Sequence, residues 1–215
     1  SLVRDRLGIK PLYYGWIGKT FVFGSELKAI KAYPGFTGEI NREALALFMR
    51  FGYIPAPHSI YKNVFKLFPG KTLSITSKTS TVEDYWSLRE VAEEGERNPF
   101  QGSEGEALQE LEQVLSEAVK LRMISDVSLG AFLSGGIDSS VIASLMQKQS
   151  DKAIKTFSIG FQEEDFNEAP FAKKVAHHLR TDHTELYVTP NDAFSVIPLL
   201  PTLYDEPFAD PSQIP

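Results

Sequence analysis

Ten consecutive residues, Ala131-Phe132-Leu133-Ser134-Gly135-Gly136-Ile137-Asp138-Ser139-Ser140, gather the groups best suited to holding a phosphate. Gly135 and Gly136 let the backbone approach a ligand closely. Ser134, Ser139 and Ser140 add hydroxyl donors without bulk. Asp138 is the odd member, because a carboxylate near a phosphate repels it unless a cation lies between them; it therefore reads as a magnesium ligand. The plain alternative is a Gly-rich turn in which Ser and Asp cap a helix. The whole string, set between an apolar run and a helical repeat, favours the phosphate reading.

Stepping outward from the loop, Val127 to Leu133 is a short apolar run and predicts a buried strand. Val141, Ile142 and Leu145 predict the helix that follows. A loop at that junction lies beyond the carboxyl end of a strand, where α/β sheets take their ligands, and the free N–H groups of the helix start favour an anion. Lys155 to Phe161 predicts a second strand, Ala172, Val175, Ala176 and Leu179 a second helix, and Glu185 to Val188 a third strand. A helix with Leu108, Leu111, Leu115 and Ala118 precedes them all. Strands alternating with helices imply βαβ units and a parallel sheet.

Residues 1–86 read differently. Pro11 to Ile17 and Thr20 to Phe23 predict strands joined at Gly18-Lys19. A short helix is expected over Glu26 to Ala32. Asn41 is placed to cap a helix with Leu45, Phe48 and Met49 on one side. Lys71 to Ile75 and Thr81 to Trp86 predict a last pair of strands. The acidic stretch 89–105 lacks apolar periodicity and reads as a linker, dividing the chain into residues 1–88 and 106–215.

Composition narrows the function classes. The chain has 215 residues with 42% hydrophobic and 23% charged, ordinary for a globular protein. No stretch approaches the ~18 apolar residues of a membrane span. A net charge of −6 argues against a broad nucleic-acid surface. With no cysteine, disulfides, thiolate metal sites and cysteine nucleophiles are excluded from these residues, which is compatible with the cytosol. Both ends read as cuts through a longer protein.

Other polar groups divide between roles. Gly18-Lys19-Thr20 and Gly70-Lys71-Thr72 echo the end of a Walker loop, but Tyr13 and Phe65 stand where its first glycine belongs, so both read as turns. Asp205, Glu206 and Asp210 cluster in a Pro-interrupted segment. They could face an amino-acid substrate or magnesium, or serve as caps and turn formers. His177, His178 and His183 read as residues at a helix end rather than zinc ligands, and Glu168 as a residue favoured at a helix start. Arg4, Arg6 and Lys10 could line a domain interface or be solvated.

Ser134-Gly135-Gly136-Ile137-Asp138-Ser139 resembles the pyrophosphate loop of the PP-loop ATP pyrophosphatases. The flanks resemble one branch of that superfamily, the glutamine-hydrolysing asparagine synthetases. Arg4-Asp5-Arg6-Leu7-Gly8-Ile9-Lys10-Pro11-Leu12-Tyr13-Tyr14 and Phe23-Gly24-Ser25-Glu26-Leu27-Lys28-Ala29-Ile30 resemble the late part of the family's glutaminase domain. Phe166-Asn167-Glu168-Ala169-Pro170-Phe171-Ala172 and Tyr204-Asp205-Glu206-Pro207-Phe208-Ala209-Asp210-Pro211 resemble later parts of its synthetase domain.

The resemblance implies an α/β fold: a parallel, doubly wound PP-loop domain of the adenine nucleotide alpha hydrolase type, preceded by the C-terminal part of an N-terminal-nucleophile glutaminase domain. It implies a cytoplasmic ligase that converts aspartate, ATP and ammonia from glutamine to asparagine, AMP and pyrophosphate through a β-aspartyl-AMP intermediate. ATP and Mg2+ are the implied cofactors, with Asp138 on the metal, Ser134 to Ser140 on the pyrophosphate, Phe132 and Leu133 near the adenosine, and Ile159 and Gly160 meeting the adenine through their backbone. A homodimer is left open. The family's nucleophilic cysteine and its second, Ser-Gly-x-Gly-x-Asp-Glu motif are not among these residues, so the piece alone is expected to be inactive. Amidation of another carboxylate, β-lactam closure, and a non-catalytic module remain the alternatives.

Overall fold

In the computed structural model, which describes residues 1–76, 78–163, 167–210 and 214, the chain folds as two units. One holds residues 1–99 and the stretch beginning at residue 198; the other holds residues 100–197. Phe166 and Pro211, which belong to two of the motifs above, lie outside the described residues.

The first unit carries two antiparallel sheets. β1 (Leu2–Val3), β5 (Lys71–Ile75) and β6 (Ser80–Asp84) form one, in the order β1-β5-β6; β2 (Tyr13–Ile17), β3 (Thr20–Gly24) and β4 (Val64–Lys66) form the other, in the order β3-β2-β4. The β2–β3 hairpin pairs Tyr13 with Gly24 through Ile17 with Thr20, so the expected turn at Gly18-Lys19 is where it forms. Arg4 ties the loop after β1 to the unit, donating from Nη1 to Leu67 O at 2.6 Å, Nη2 to Gly8 O and Nε to Lys10 O. The Asp5 carboxylate accepts from the Ile9 and Lys10 amides, and those bonds, Lys10 first, hold its pKa below the usual carboxylate range.

Helix α1 (Leu27–Lys31) buries Leu27 and Ile30. Helix α2 (Arg42–Phe51) starts at Asn41, whose Oδ1 accepts from the Glu43 and Ala44 amides, and ends at Gly52. Its inner stripe differs from the expected one. Ala44 is buried and Phe48 packs on the core, whereas Met49 is 77% exposed and Leu45 is exposed as well. Residues four apart share a stripe: the pair 44/48 faces inward, and 45/49 is the next stripe round. The core joins Tyr13, Leu27, Ile30, Ala44, Ile54, Ile60 and Val64.

The stretch read as a linker is largely helical. α3 (Leu88–Arg97) is capped by Ser87 and buries none of its residues. It is held by local pairs, with Glu93 bridging Arg89 and Arg97 at i,i+4 spacing. Leu88, Val91 and Ala92 stand at i, i+3, i+4 spacing, so a helical apolar stripe is present in the sequence although none of these residues is buried.

In the second unit α4 (Glu104–Arg122) opens with a Ser103–Glu106 capping box. β7 (Gly130–Phe132), α5 (Ile137–Lys148), β8 (Lys155–Phe161), α6 (Ala169–Leu179), β9 (Asp182–Val188) and α7 (Pro190–Val196) follow. The strands form a parallel sheet in the order β7-β8-β9, with Phe132 opposite Phe157 and Ile159 opposite Leu186. β7 is shorter than expected: Val127 is 76% exposed, and its amide instead bonds the Ser125 hydroxyl. One core joins Val119 of α4, Leu133, Ala143, Leu145 and Met146 of α5, and Ala172 and Ala176 of α6. The small residues of α6 let it sit close to the sheet face bearing buried Thr156 and Ser158. The order β7-β8-β9 steps in one direction, so the described strands do not include the reversal that double winding needs.

Candidate functional site

The loop that leaves β7 is fixed from below. The Leu133 amide donates to Phe157 O at 2.8 Å, and the Ser158 hydroxyl donates to Leu133 O. Leu133 is 2% exposed while Phe132 is 80% exposed, so of the two residues expected near an adenosine only Phe132 presents its side chain to solvent. Above them, the serines knit the turn. Ser139 Oγ lies 2.9 Å from Ser134 Oγ and accepts from the Ser134 amide; Ser134 Oγ accepts from the Gly136 amide. Ser140 Oγ donates to Gly136 O at 2.6 Å.

Gly136 is the N-cap of α5 and supplies no side-chain cap. The first amides of this helix are therefore left to solvent or to an anion. Asp138 stands in the first turn, exposed. Gly135 has a φ of +82°, and a Cβ there would come within 2.7 Å of the Ala172 amide nitrogen and 2.8 Å of Phe171. Its role in the structure is close approach to the start of α6. The walls that sequence reasoning missed are therefore Phe171 and Ala172, and their signal is spatial only.

Ile159 and Gly160 lie at the carboxyl end of β8, and Gly160 pairs with Tyr187. A Cβ at Gly160 would meet the Tyr187 ring at 2.7 Å. That tyrosine donates to Glu185, which is paired with Lys173 at 3.0 Å. The hydrogen bond from Lys173 is the main reason that Glu185 titrates below its usual value. His183 uses Nδ1 on the Thr156 hydroxyl at 2.9 Å, and among the described residues no group of three or more His, Cys, Asp or Glu could hold a metal.

The three acidic candidates near the chain end belong to the other unit. Asp205 accepts from the Leu27 and Lys28 amides, at 2.6 and 3.2 Å. Glu206 accepts from the Ile60 amide at 2.7 Å and the Tyr13 hydroxyl at 3.3 Å, and pairs with Lys66. Asp210 is exposed. Both Asp205 and Glu206 thus spend their oxygens on protein donors. Burial, then the charge of Glu206, hold the Tyr13 phenol well above its ordinary value. A raised folded value means that stability is fully present below the unfolded value, about pH 10, and is lost as pH climbs beyond it. In alkaline unfolding followed by tryptophan fluorescence, Tyr13→Phe is expected to flatten that loss; equal slopes would contradict it.

Two antiparallel sheets followed by a parallel βαβαβ unit with a Ser-Gly-Gly-x-Asp loop define a two-part α/β protein. The asparagine synthase family matches residues 110–215, and the glutamine amidotransferase domain family matches residues 1–86. A Methanocaldococcus jannaschii protein named "Putative asparagine synthetase 2", glutamine-hydrolysing, is 39% identical over 99% of this chain and 41% of its own length. Glutamine-hydrolysing asparagine synthetases 1 and 2 of Bacillus subtilis are 34% and 31% identical over 99% of this chain, and 32% and 30% of their own lengths. Along nearly its whole length the chain is similar to glutamine-hydrolysing asparagine synthetases, and it spans well under half the length of these relatives. Among the described residues no helix is long and apolar enough to cross a membrane.

Proposed function

We propose that this chain contributes the first nucleotide-binding loop of an enzyme that makes asparagine from aspartate, ATP and ammonia. The observation that supports it is the uncapped start of α5 beside a turn that carries three serine hydroxyls and the exposed Asp138 carboxylate. In this reading residues 106–215 are the first part of a doubly wound PP-loop domain, residues 1–88 the end of a glutaminase domain with its connection, and 89–105 the join between them.

The residues present suit Mg·ATP. An uncapped helix start favours the pyrophosphate end of the nucleotide. Magnesium commonly takes one or two carboxylates and completes its shell with phosphate oxygens and water, so a lone Asp138 is the donor set expected for it. When bound, the ion supplies charge neutralisation on the pyrophosphate that leaves. The backbone amides of α5 and the hydroxyls of Ser134, Ser139 and Ser140 hold that group. Phe132 flanks the adenosine with its side chain and Leu133 from its backbone, its own side chain being buried, and Ile159 and Gly160 meet the adenine by backbone contacts.

The chemistry is two displacements. A β-carboxylate oxygen of aspartate attacks the α-phosphorus, the α–β phosphoanhydride bond breaks, and pyrophosphate departs from β-aspartyl-AMP. Ammonia, released from glutamine in the parent protein, attacks the acyl carbon; the bond to AMP breaks and the nitrogen loses a proton. Adenylation replaces a poor leaving group with AMP, and donors aimed at the departing charge lower the barrier.

Calorimetric titration of Mg·ATP tests the site. Asp138→Ala is expected to weaken binding by about tenfold or more, equivalent to ~1.4 kcal/mol. Equal affinity in the variant would remove Asp138 from the site. Silence both here and in a protein carrying the whole synthetase domain would overturn the nucleotide reading.

A further inference from the structure

The polypeptide after β9 takes an unexpected course. The chain leaves the first unit at residue 99, forms the second, and from residue 198 is again part of the first. The asparagine synthase family match nevertheless runs without interruption over residues 110–215. Residues 198–210 are thus synthetase in sequence and amidotransferase-side in packing.

What holds them there is specific. Helix α1 has Glu26 at its N-cap, which makes no side-chain cap bond. The missing cap comes from Asp205, 178 residues away from Leu27, whose two oxygens take the Leu27 and Lys28 amides. Glu206 enters a buried setting between the Ile60 amide, the Tyr13 hydroxyl and Lys66. Its side chain is 10% exposed and that of Lys66 15%. Lys66 is oriented by a further bond to Ile54 O at 2.5 Å. The Ala209 amide then donates to Gly52 O, at the end of α2, at 2.6 Å. Groups from α1, β2, β4, the Ile60 backbone and the end of α2 thus hold Asp205, Glu206 and Ala209 of the returning chain, and no substrate is needed to satisfy them.

A buried ion pair is seldom the most stabilising way to fill such a space; hydrophobic residues of similar size often do as well. What charged, directional bonds do add is register: they fix which residue lies where. We infer that Asp205 and Glu206 form a latch that holds the returning synthetase segment on the amidotransferase-type unit and thereby keeps glutamine hydrolysis in step with amide formation. The coupling half of this inference rests on the amide-synthetase reading; the latch itself does not. Asp205 and Glu206 are accordingly positioning residues, and the substrate-facing alternative for them is set aside.

Two measurements separate these parts. In this chain, amide hydrogen exchange at Leu27, Lys28 and Ile60 reads the latch directly. The Asp205→Ala, Glu206→Ala pair is expected to speed exchange at all three by about tenfold or more, leaving Phe157 and Ile159 of β8 unchanged. If alanine loosens the whole first unit, the milder Asp205→Asn, Glu206→Gln pair decides. Asparagine in place of Asp205 keeps one acceptor oxygen for the two amides that Asp205 serves with two, so wild-type exchange rates at both Leu27 and Lys28 in that folded pair would overturn the latch.

In an enzyme carrying both complete domains, the Asn/Gln pair is expected to raise the glutamine consumed per asparagine on the order of fivefold. Its ammonia-supported rate should stay within about twofold of wild type. Equal loss of ammonia- and glutamine-supported synthesis, or an unchanged ratio, would overturn the coupling. A wild-type enzyme that makes no asparagine from ammonia would instead sink the amide-synthetase reading and leave the exchange result to judge the latch.

Discussion

Gly135→Ala is expected to cost the second unit about 2–5 kcal/mol of stability, the sum of a left-handed backbone forced on an L-residue and overpacking. The same change should remove Mg·ATP binding. Two observations set the size. The φ at Gly135 is +82°, where only glycine is comfortable. Its Cβ would also lie 2.7–2.8 Å from the Ala172 nitrogen and from the Phe171 carbonyl carbon and Cβ. The first two are backbone atoms in the opening turn of α6 and cannot rotate away. Either α6 shifts, opening the core around Ala172 and Ala176, or the loop moves and carries the start of α5 with it.

Gly136→Ala is the control. Its φ is −71°, and a Cβ there meets only the Ser134 hydroxyl, at 3.3 Å. Glycine ranks above alanine at an N-cap, so the cost should be roughly 0.5–1 kcal/mol, still well below that of Gly135→Ala. Urea unfolding followed by exchange of β8 amides measures both variants. A Gly135→Ala protein as stable as Gly136→Ala would refute the close-approach account.

That contrast shows where the sequence was readable and where it was not. A Gly-Gly pair between a strand and a helix announces a tight junction, and β7, the loop and α5 lie where that pattern puts them. Which glycine faces a ligand and which faces a neighbouring helix depends on α6, more than 30 residues on, and no local pattern encodes it. Aromatic runs and turn residues made β2 and β3 legible, and the Asn41 cap made α2 legible. The inward stripe of α2 is Ala44 and Phe48; Leu45 and Met49 outweigh Ala44 in hydrophobicity, but close packing against the core admits the smaller residue. α3 has a short helical stripe of Leu88, Val91 and Ala92, but it lies in a run dominated by charged residues and none of the three is buried, so the acidic composition masks it. Val127 continues the apolar run but stands outside the strand, 76% exposed, because apolar character alone does not imply burial.

Asp205 and Glu206 mark the furthest limit: a Pro-flanked acidic pair is the same string whether it meets a substrate or caps a helix far away in sequence. The consequence for stability is large. Glu206→Ala is expected to destabilise the first unit by about 3–5 kcal/mol, the usual cost of stranding one member of a buried ion pair. The Lys66 ammonium would keep its bond to Ile54 O but lose its counter-charge. The Ile60 amide and the Tyr13 hydroxyl would lose an acceptor at the same time. Replacing both partners with apolar residues, as in Lys66→Met with Glu206→Leu, should recover most of the loss, because neither charge is then buried alone. Both tryptophans, Trp16 and Trp86, lie in this unit, so urea unfolding followed by their fluorescence reads it separately from the second. A single variant within about 0.5 kcal/mol of wild type, the range of an ordinary surface change, would show that the pair is solvated in solution. A double variant as unstable as the single would show instead that the lost amide and phenol bonds, and not the stranded lysine, set the cost. Recovery in the double variant without recovery of protected exchange at Ile60 would separate the two roles of Glu206: neutralising Lys66 for stability, and gripping the loop at Ile60 for register.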